Sequence, residues 1–64
     1  MLNTDKIRQL MREKDIRSKD LALKVGVGES MMSFILSGLR TPNVQTLVMM
    51  AKVLECSVDD IIVK

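Results

Sequence analysis

Residues 18–37 have the sequence SKDLALKVGVGESMMSFILS, two apolar sets at helical spacing on either side of a glycine pair. Leu21, Ala22 and Val25 recur on one side of a helical period, and Met32, Ile35 and Leu36 do so again after a break. Between the two sets, Gly26 supplies the residue that closes a helix in the left-handed conformation without a Cβ penalty. The pattern predicts two short helices joined by a sharp turn, the second opened by Gly28 or Glu29 and stopped by Gly38.

Upstream, Asn3 or Thr4 can cap a first helix running to about Lys14, with Ile7, Leu10 and Met11 as its apolar stripe and Lys6, Arg8, Arg12 and Glu13 on the other face. Ile16 then precedes the helix that begins near Ser18. Downstream, the single proline, Pro42, separates two helical patterns, and Asn43 caps a fourth helix whose expected inner face is Val44, Leu47, Met50, Ala51 and Leu54. Ser57 and Asp60 have the spacing of a capping box, which predicts a last short helix with Val58, Ile61 and Ile62 inward. No window alternates with period two for long enough to make a strand. The expected class is therefore all-α, with five short helices in one compact domain spanning residues 1–64.

A 64-residue chain buries only about 60% of the surface it exposes when unfolded, so one core must serve all of it. Cys56, the one cysteine, cannot close an internal disulfide, and no histidine completes a Cys/His metal site. Stability has to come from packing. Cys56 reads as a buried structural thiol rather than a redox sensor, and Met11, Met32 and Met50 as adaptable core filler. With 47% hydrophobic and 28% charged residues, the chain has the composition of a globular domain and not of a disordered one.

The apolar runs are short and the N-terminus lacks a signal-peptide pattern, so no membrane segment is expected and a cytoplasmic location fits. The net charge of +2 divides unevenly, with eight basic and five acidic residues in 1–40 against two and three in 41–64. That surplus suits an anionic partner for the first part, and equally suits plain solubility. Enzyme chemistry is a poor fit. There is no histidine, Cys56 lacks a base partner, and the adjacent Asp59 and Asp60 suit a helix start better than an acid–base pair. No catalytic residue, metal or cofactor is expected.

The two central helices meet the demands of a helix-turn-helix. Two helices crossing steeply need a small residue where they approach, a glycine in the turn and apolar residues at fixed inner points. Ala22 is the small residue, Gly26 the turn glycine, and Leu21, Val25, Val27, Met32 and Ile35 the inner points, all in register within residues 18–37. From about Asp5 to Ile62 the chain resembles the Cro/C1-type helix-turn-helix family of phage repressors and bacterial regulators. The stretch Ser37 to Asn43, SGLRTPN, is similar to that family's Gly-x-Arg-x-Pro-Ser/Asn connector, and Leu47, Ala51, Leu54, Ser57 and Val58 match the helices after it.

The resemblance implies a five-helix, lambda-repressor-like domain that binds double-stranded operator DNA, usually as a homodimer on a two-fold site. It also implies that the helix at 28–37 reads the major groove, with Gly28, Glu29, Ser30, Ser33 and Phe34 at the bases and Met31 at the margin. Glu29 and Ser30 match the family's two leading base-contact positions. Arg17, Ser18, Lys19, Ser37 and Arg40 are the candidates for the DNA backbone, where Ser18 stands at the usual phosphate-binding Gln. Arg17-Ser18 replaces the family's usual Ser/Thr-Gln, so the long amide clamp is absent and the helix cap can shift by one residue.

The candidate reading helix carries no Lys or Arg of its own. A carboxylate at Glu29 is repelled by phosphates unless it accepts from the cytosine N4 amino group, and its other role is to sit favourably in a helix's first turn. Phe34 can meet a thymine methyl, dock on a protein or fold partly inward. Ser30 and Ser33 can bond to bases or phosphates, or merely be solvated. Affinity then falls to Arg17, Lys19, Lys24 and Arg40, with Lys6, Arg8 and Arg12 available on the first helix and backbone amides at helix starts.

Weak binding by one copy makes a homodimer the physical expectation. Met49 and Val53 form an apolar pair on the fourth helix that can serve it, partial burial under the C-terminal residues being the alternative. The expected function is a DNA-binding transcriptional regulator acting as a repressor. No small-molecule effector is expected in so short a chain. The rival is a protein-binding module that keeps the frame and docks through Met31, Phe34 and Leu39.

Overall fold

A computed structural model describes residues 2–63; Met1 and Lys64, the end residues of the expected domain, lie outside the described residues. Four α-helices follow in order: α1 (Thr4–Glu13), α2 (Ser18–Val25), α3 (Glu29–Ser37) and α4 (Val44–Val53), and a 3-10 helix (Val58–Ile61) closes the chain. The fifth expected helix is thus a 3-10 turn. Four residues are enough for one turn of this tighter helix and no more, and extended Ile62 follows at once.

The caps are those the sequence offers. Asn3 Oδ1 accepts from the Lys6 N–H at 3.1 Å, and Asn43 Oδ1 accepts from the Thr46 N–H at 2.8 Å, each satisfying a first-turn donor of its helix. Gly26 ends α2 at φ +89° and Gly38 ends α3 at φ +86°, a conformation in which a Cβ crowds the following carbonyl. The Asp60 carboxylate accepts from the Ser57 N–H at 3.0 Å, one arm of the expected capping box.

Two further helix ends carry no glycine. Asp15 after α1 and Glu55 after α4 take φ +55° and +56°. In both places the chain folds back in the same way, with the Ile16 N–H donating to the Met11 carbonyl at 2.8 Å and the Cys56 N–H to the Ala51 carbonyl at 3.0 Å. Lys14 and Glu55 join the two turns through an exposed ion pair at 3.0 Å, which adds little to stability.

The core draws on every element: Ile7 and Met11 from α1, Leu21 and Ala22 from α2, Met32, Ile35 and Leu36 from α3, Met50, Ala51 and Leu54 around α4, and Ile61. α2 packs on α3 and α4, while α1 and the 3-10 helix brace the other side. Of the five inner points of the motif, Leu21, Met32 and Ile35 are buried, and Val25 and Val27 are half-buried against the same cluster. Cys56 also packs partly on it, and burial together with the nearby Asp60 charge pushes its thiol pKa up, away from reactivity.

Two residues expected inward lie outside the core: Ile62, which is extended and half-buried past the 3-10 helix, and Val44. Val44 shares the helical face of Ala51 and Leu54, yet it is 77% exposed, because it is the first residue of α4 and stands beyond the elements that cover that face. An antiparallel bridge between Leu2 and Ile62, with the Asn3 N–H donating to the Ile61 carbonyl at 2.8 Å, ties the start of the described chain to its end.

Candidate nucleic-acid interface

α3 has two unlike sides. Met32, Ile35 and Leu36 are buried, while Glu29, Ser30, Met31, Ser33, Phe34 and Ser37 are all exposed. Burying the inner three against α1 and α2 fixes the rotation of the helix, so the outer set forms one continuous strip. Gly28 is the N-cap of α3 at φ −68°, and Glu29 is its first helical residue. The helix therefore spans one residue less than the expected 28–37.

Gly28 offers no capping side chain, so the first-turn amides of α3 remain open at the end that Glu29 occupies. The Glu29 carboxylate makes no hydrogen bond or ion pair among the described residues. It shares a shallow depression between α2 and α3 with Lys19. Its position serves both roles open to it: it complements the positive end of α3, and it stands free to accept a proton donor from outside.

At the start of α2 the cap position falls on Arg17, which is extended and provides no side-chain acceptor. The cap thus stays on the first residue of the Arg17-Ser18 pair, without the one-residue shift that the pair allows, and it lacks a capping side chain. The first amides of α2 are left open next to the Ser18 hydroxyl, a geometry suited to an anionic oxygen. Ser18 in turn lines a cleft of about 400 Å³ together with Arg8, Arg12, Ser33 and Ser37. No carboxylate lines it. α1 thereby adds Arg12 to the anion-favouring residues around α3.

Arg8 has a different task. Its guanidinium donates to the Leu36 carbonyl at 2.9 Å, satisfying an orphan acceptor in the last turn of α3. A cation available by composition is in fact a brace between α1 and α3. Ser37 is likewise partly committed, its hydroxyl donating to the Phe34 carbonyl at 3.0 Å, which leaves its oxygen as an acceptor only.

Phe34 is 44% exposed and does not fold into the core. The Arg40 guanidinium carbon lies 6.0 Å from the centre of its ring, within cation–π range. The structure thus brings Glu29, Ser30, Ser33, Phe34 and Ser37 onto one strip with Ser18, Lys19 and Arg40 at its borders, whereas Met49 and Val53 lie apart on α4, both half-buried. Leu39, expected in a docking surface, is 75% exposed, and Leu23 and Val44, at 82% and 77%, add apolar surface that the sequence pattern does not anticipate. Among the described residues no helix is long and apolar enough to cross a membrane.

Comparison with known proteins agrees with this frame. The family model of the Cro/C1-type helix-turn-helix DNA-binding domain matches residues 6–63. The solution nuclear magnetic resonance structure of the DNA-binding domain of the P22 C2 repressor, residues 1–76, superposes with a TM-score of 0.83 at 30% identity, covering 92% of this chain and 78% of that one. No curated protein is similar to the chain at a significant level. The family match spans nearly all of the chain, and the chain belongs to the Cro/C1-type helix-turn-helix DNA-binding domain family.

Proposed function

We propose that this domain is a sequence-specific transcriptional regulator, acting in the cytoplasm as a repressor, that reads the major groove with α3 and its Gly28 cap. Gly28, Glu29, Ser30 and Ser33 face the base edges, with Phe34 beside them. Arg17, Ser18, Lys19, Ser37 and Arg40 meet the phosphates, and Arg12 joins them from α1. The observation that carries this reading is the strip itself: a helix held by three buried residues presents Glu29, Ser30, Ser33 and Ser37 to solvent, with Met31 and Phe34 among them, flanked by cations and open helix amides.

Few of these groups are cationic, so one copy neutralises few phosphates and binds weakly. Two copies on a two-fold site repair the weakness, with Met49 and Val53 on α4 as the surface where they meet. Selection of bound duplexes from a random pool, with sizing of the complex by light scattering, tests the reading. It expects a two-fold consensus and a dimer on DNA; recovered sequences with no common element contradict it.

A second reading has one observation in its favour. Met31, Phe34 and Leu39 are 40%, 44% and 75% exposed and lie on or just beyond the same helix, an apolar fringe suited to a polypeptide partner. On that reading the frame serves protein docking, and duplex DNA is not bound even at low salt.

A further inference from the structure

Between Lys24 and Lys52 the chain carries a single cation, Arg40. Beside the Arg8 guanidinium, which is committed to the Leu36 carbonyl, any further positive charge that this part of the chain brings to the C-terminal end of α3 depends on where the Arg40 side chain is held. Arg40 lies two residues past the Gly38 cap, in the connector to α4, where an arginine usually moves freely. Here it is fixed at both of its ends on one residue. The Phe34 carbonyl accepts from the Leu39 N–H at 2.9 Å, from the Arg40 N–H at 3.2 Å and from the Ser37 hydroxyl at 3.0 Å. The Phe34 ring lies under the Arg40 guanidinium at 6.0 Å.

A guanidinium over an aromatic ring keeps the N–H donors at its edge free, and no carboxylate pairs with this one among the described residues. The same contact occupies a face of the ring that would otherwise be open to a base. Holding the side chain in advance also reduces the rotamer freedom lost when it meets a ligand.

We propose that Phe34 is a positioning residue: its ring holds Arg40 at the C-terminal end of α3 so that the guanidinium meets a DNA phosphate, and Phe34 itself reads no base. The inference rests on the DNA-binding reading above and narrows the part Phe34 plays in it. A phosphate contact carries no sequence information, so loss of the ring weakens binding to all sequences alike.

The test is a double-mutant cycle of Phe34→Leu and Arg40→Ala, measured by fluorescence anisotropy on the duplex selected by the wild-type protein and on single-base variants of it, with circular dichroism melts to confirm that each variant folds. Phe34→Leu is expected to weaken binding by roughly 2–5-fold per half-site. It is expected to cost nothing further once Arg40 is Ala, and to leave the base preferences unchanged, while Phe34→Trp retains affinity. Additive losses with an altered preference at one base position overturn the proposal.

A second measurement concerns the free protein. The Arg40 δ-methylene protons are expected upfield in the wild type, displaced by the ring current, and at ordinary positions in Phe34→Leu. Their absence from the upfield region in the wild type overturns the platform, whatever DNA does. An upfield shift in a protein that binds no duplex at low salt overturns the proposal too, and assigns the failure to the DNA-binding reading instead.

Discussion

The Arg8 guanidinium donates to the main-chain carbonyl of Leu36 at 2.9 Å, joining α1 to the last turn of α3 across 28 residues of sequence. The bond complements the negative end of α3 and satisfies a carbonyl that the helix itself leaves unpaired. Replacing Arg8 with Met keeps the length of the stem and removes the donor. The expected loss is about 0.5–1.5 kcal/mol, since the site is only partly buried. A thermal melt should show it as a decrease of roughly 4–8 °C per kcal/mol in a domain of this size.

Gly26 offers a second test of the frame. Its φ of +89° is the only constraint on the residue, because a Cβ built there meets nothing within 4 Å. Gly26→Ala should therefore cost about 1–2 kcal/mol through the backbone alone. Gly26→Asn, which tolerates the left-handed conformation, should cost less. Urea unfolding of both variants checks the order.

Asp60 links stability to acidity. Its carboxyl lies below the ordinary value of 3.8, chiefly because it accepts the Ser57 backbone N–H and also bonds to the Ser57 side chain. A carboxyl with a depressed pKa in the folded state contributes stability above its unfolded pKa and loses it as pH falls through the folded one. The contribution is therefore present at neutral pH and disappears below about pH 4. Urea midpoints of the wild type should fall more steeply through that acid range than those of Asp60→Asn, and parallel curves would contradict the assignment.

Much of this fold is legible in residues 18–38, because buried residues at helical spacing and the left-handed glycines Gly26 and Gly38 leave little choice of path. The same logic fails where covering elements run out. Val44 has the spacing of a core residue and is exposed, since the stripe specifies a face of α4 and not how far its neighbours reach. The end of α1 near Lys14 is legible, but the left-handed turns at Asp15 and Glu55 escape notice because neither residue favours a positive φ as glycine does. The site is legible as a list of exposed residues on α3. What the list omits is long-range: Arg8 bound to Leu36, Arg12 sharing a cleft with Ser33, and Arg40 over the Phe34 ring all depend on how elements pack.

Glu29 distinguishes a reader of bases from a stabiliser of the helix start. Its exposed carboxylate can accept from cytosine, whereas an amide at the same position both donates and accepts and suits adenine. Glu29→Gln is expected to shift the selected consensus at one position in each half-site. It should also lower stability slightly, by about 0.3–1 kcal/mol, as the charge at the helix start is lost. An unchanged consensus with the stability loss intact would leave Glu29 only its helix role.

On the proposed reading α3, which has no cation of its own, is carried onto DNA by the charges and open amides around it. Titration of the protein with random-sequence duplex DNA at low and moderate salt tests this most directly. Measurable binding is expected at low salt and should weaken as salt rises, with a logarithmic slope lowered by roughly 0.9 for each phosphate contact removed, as in Arg17→Ala or Arg40→Ala. Absence of binding at low salt would contradict it and turn attention to Met31, Phe34 and Leu39 as a surface for a protein partner.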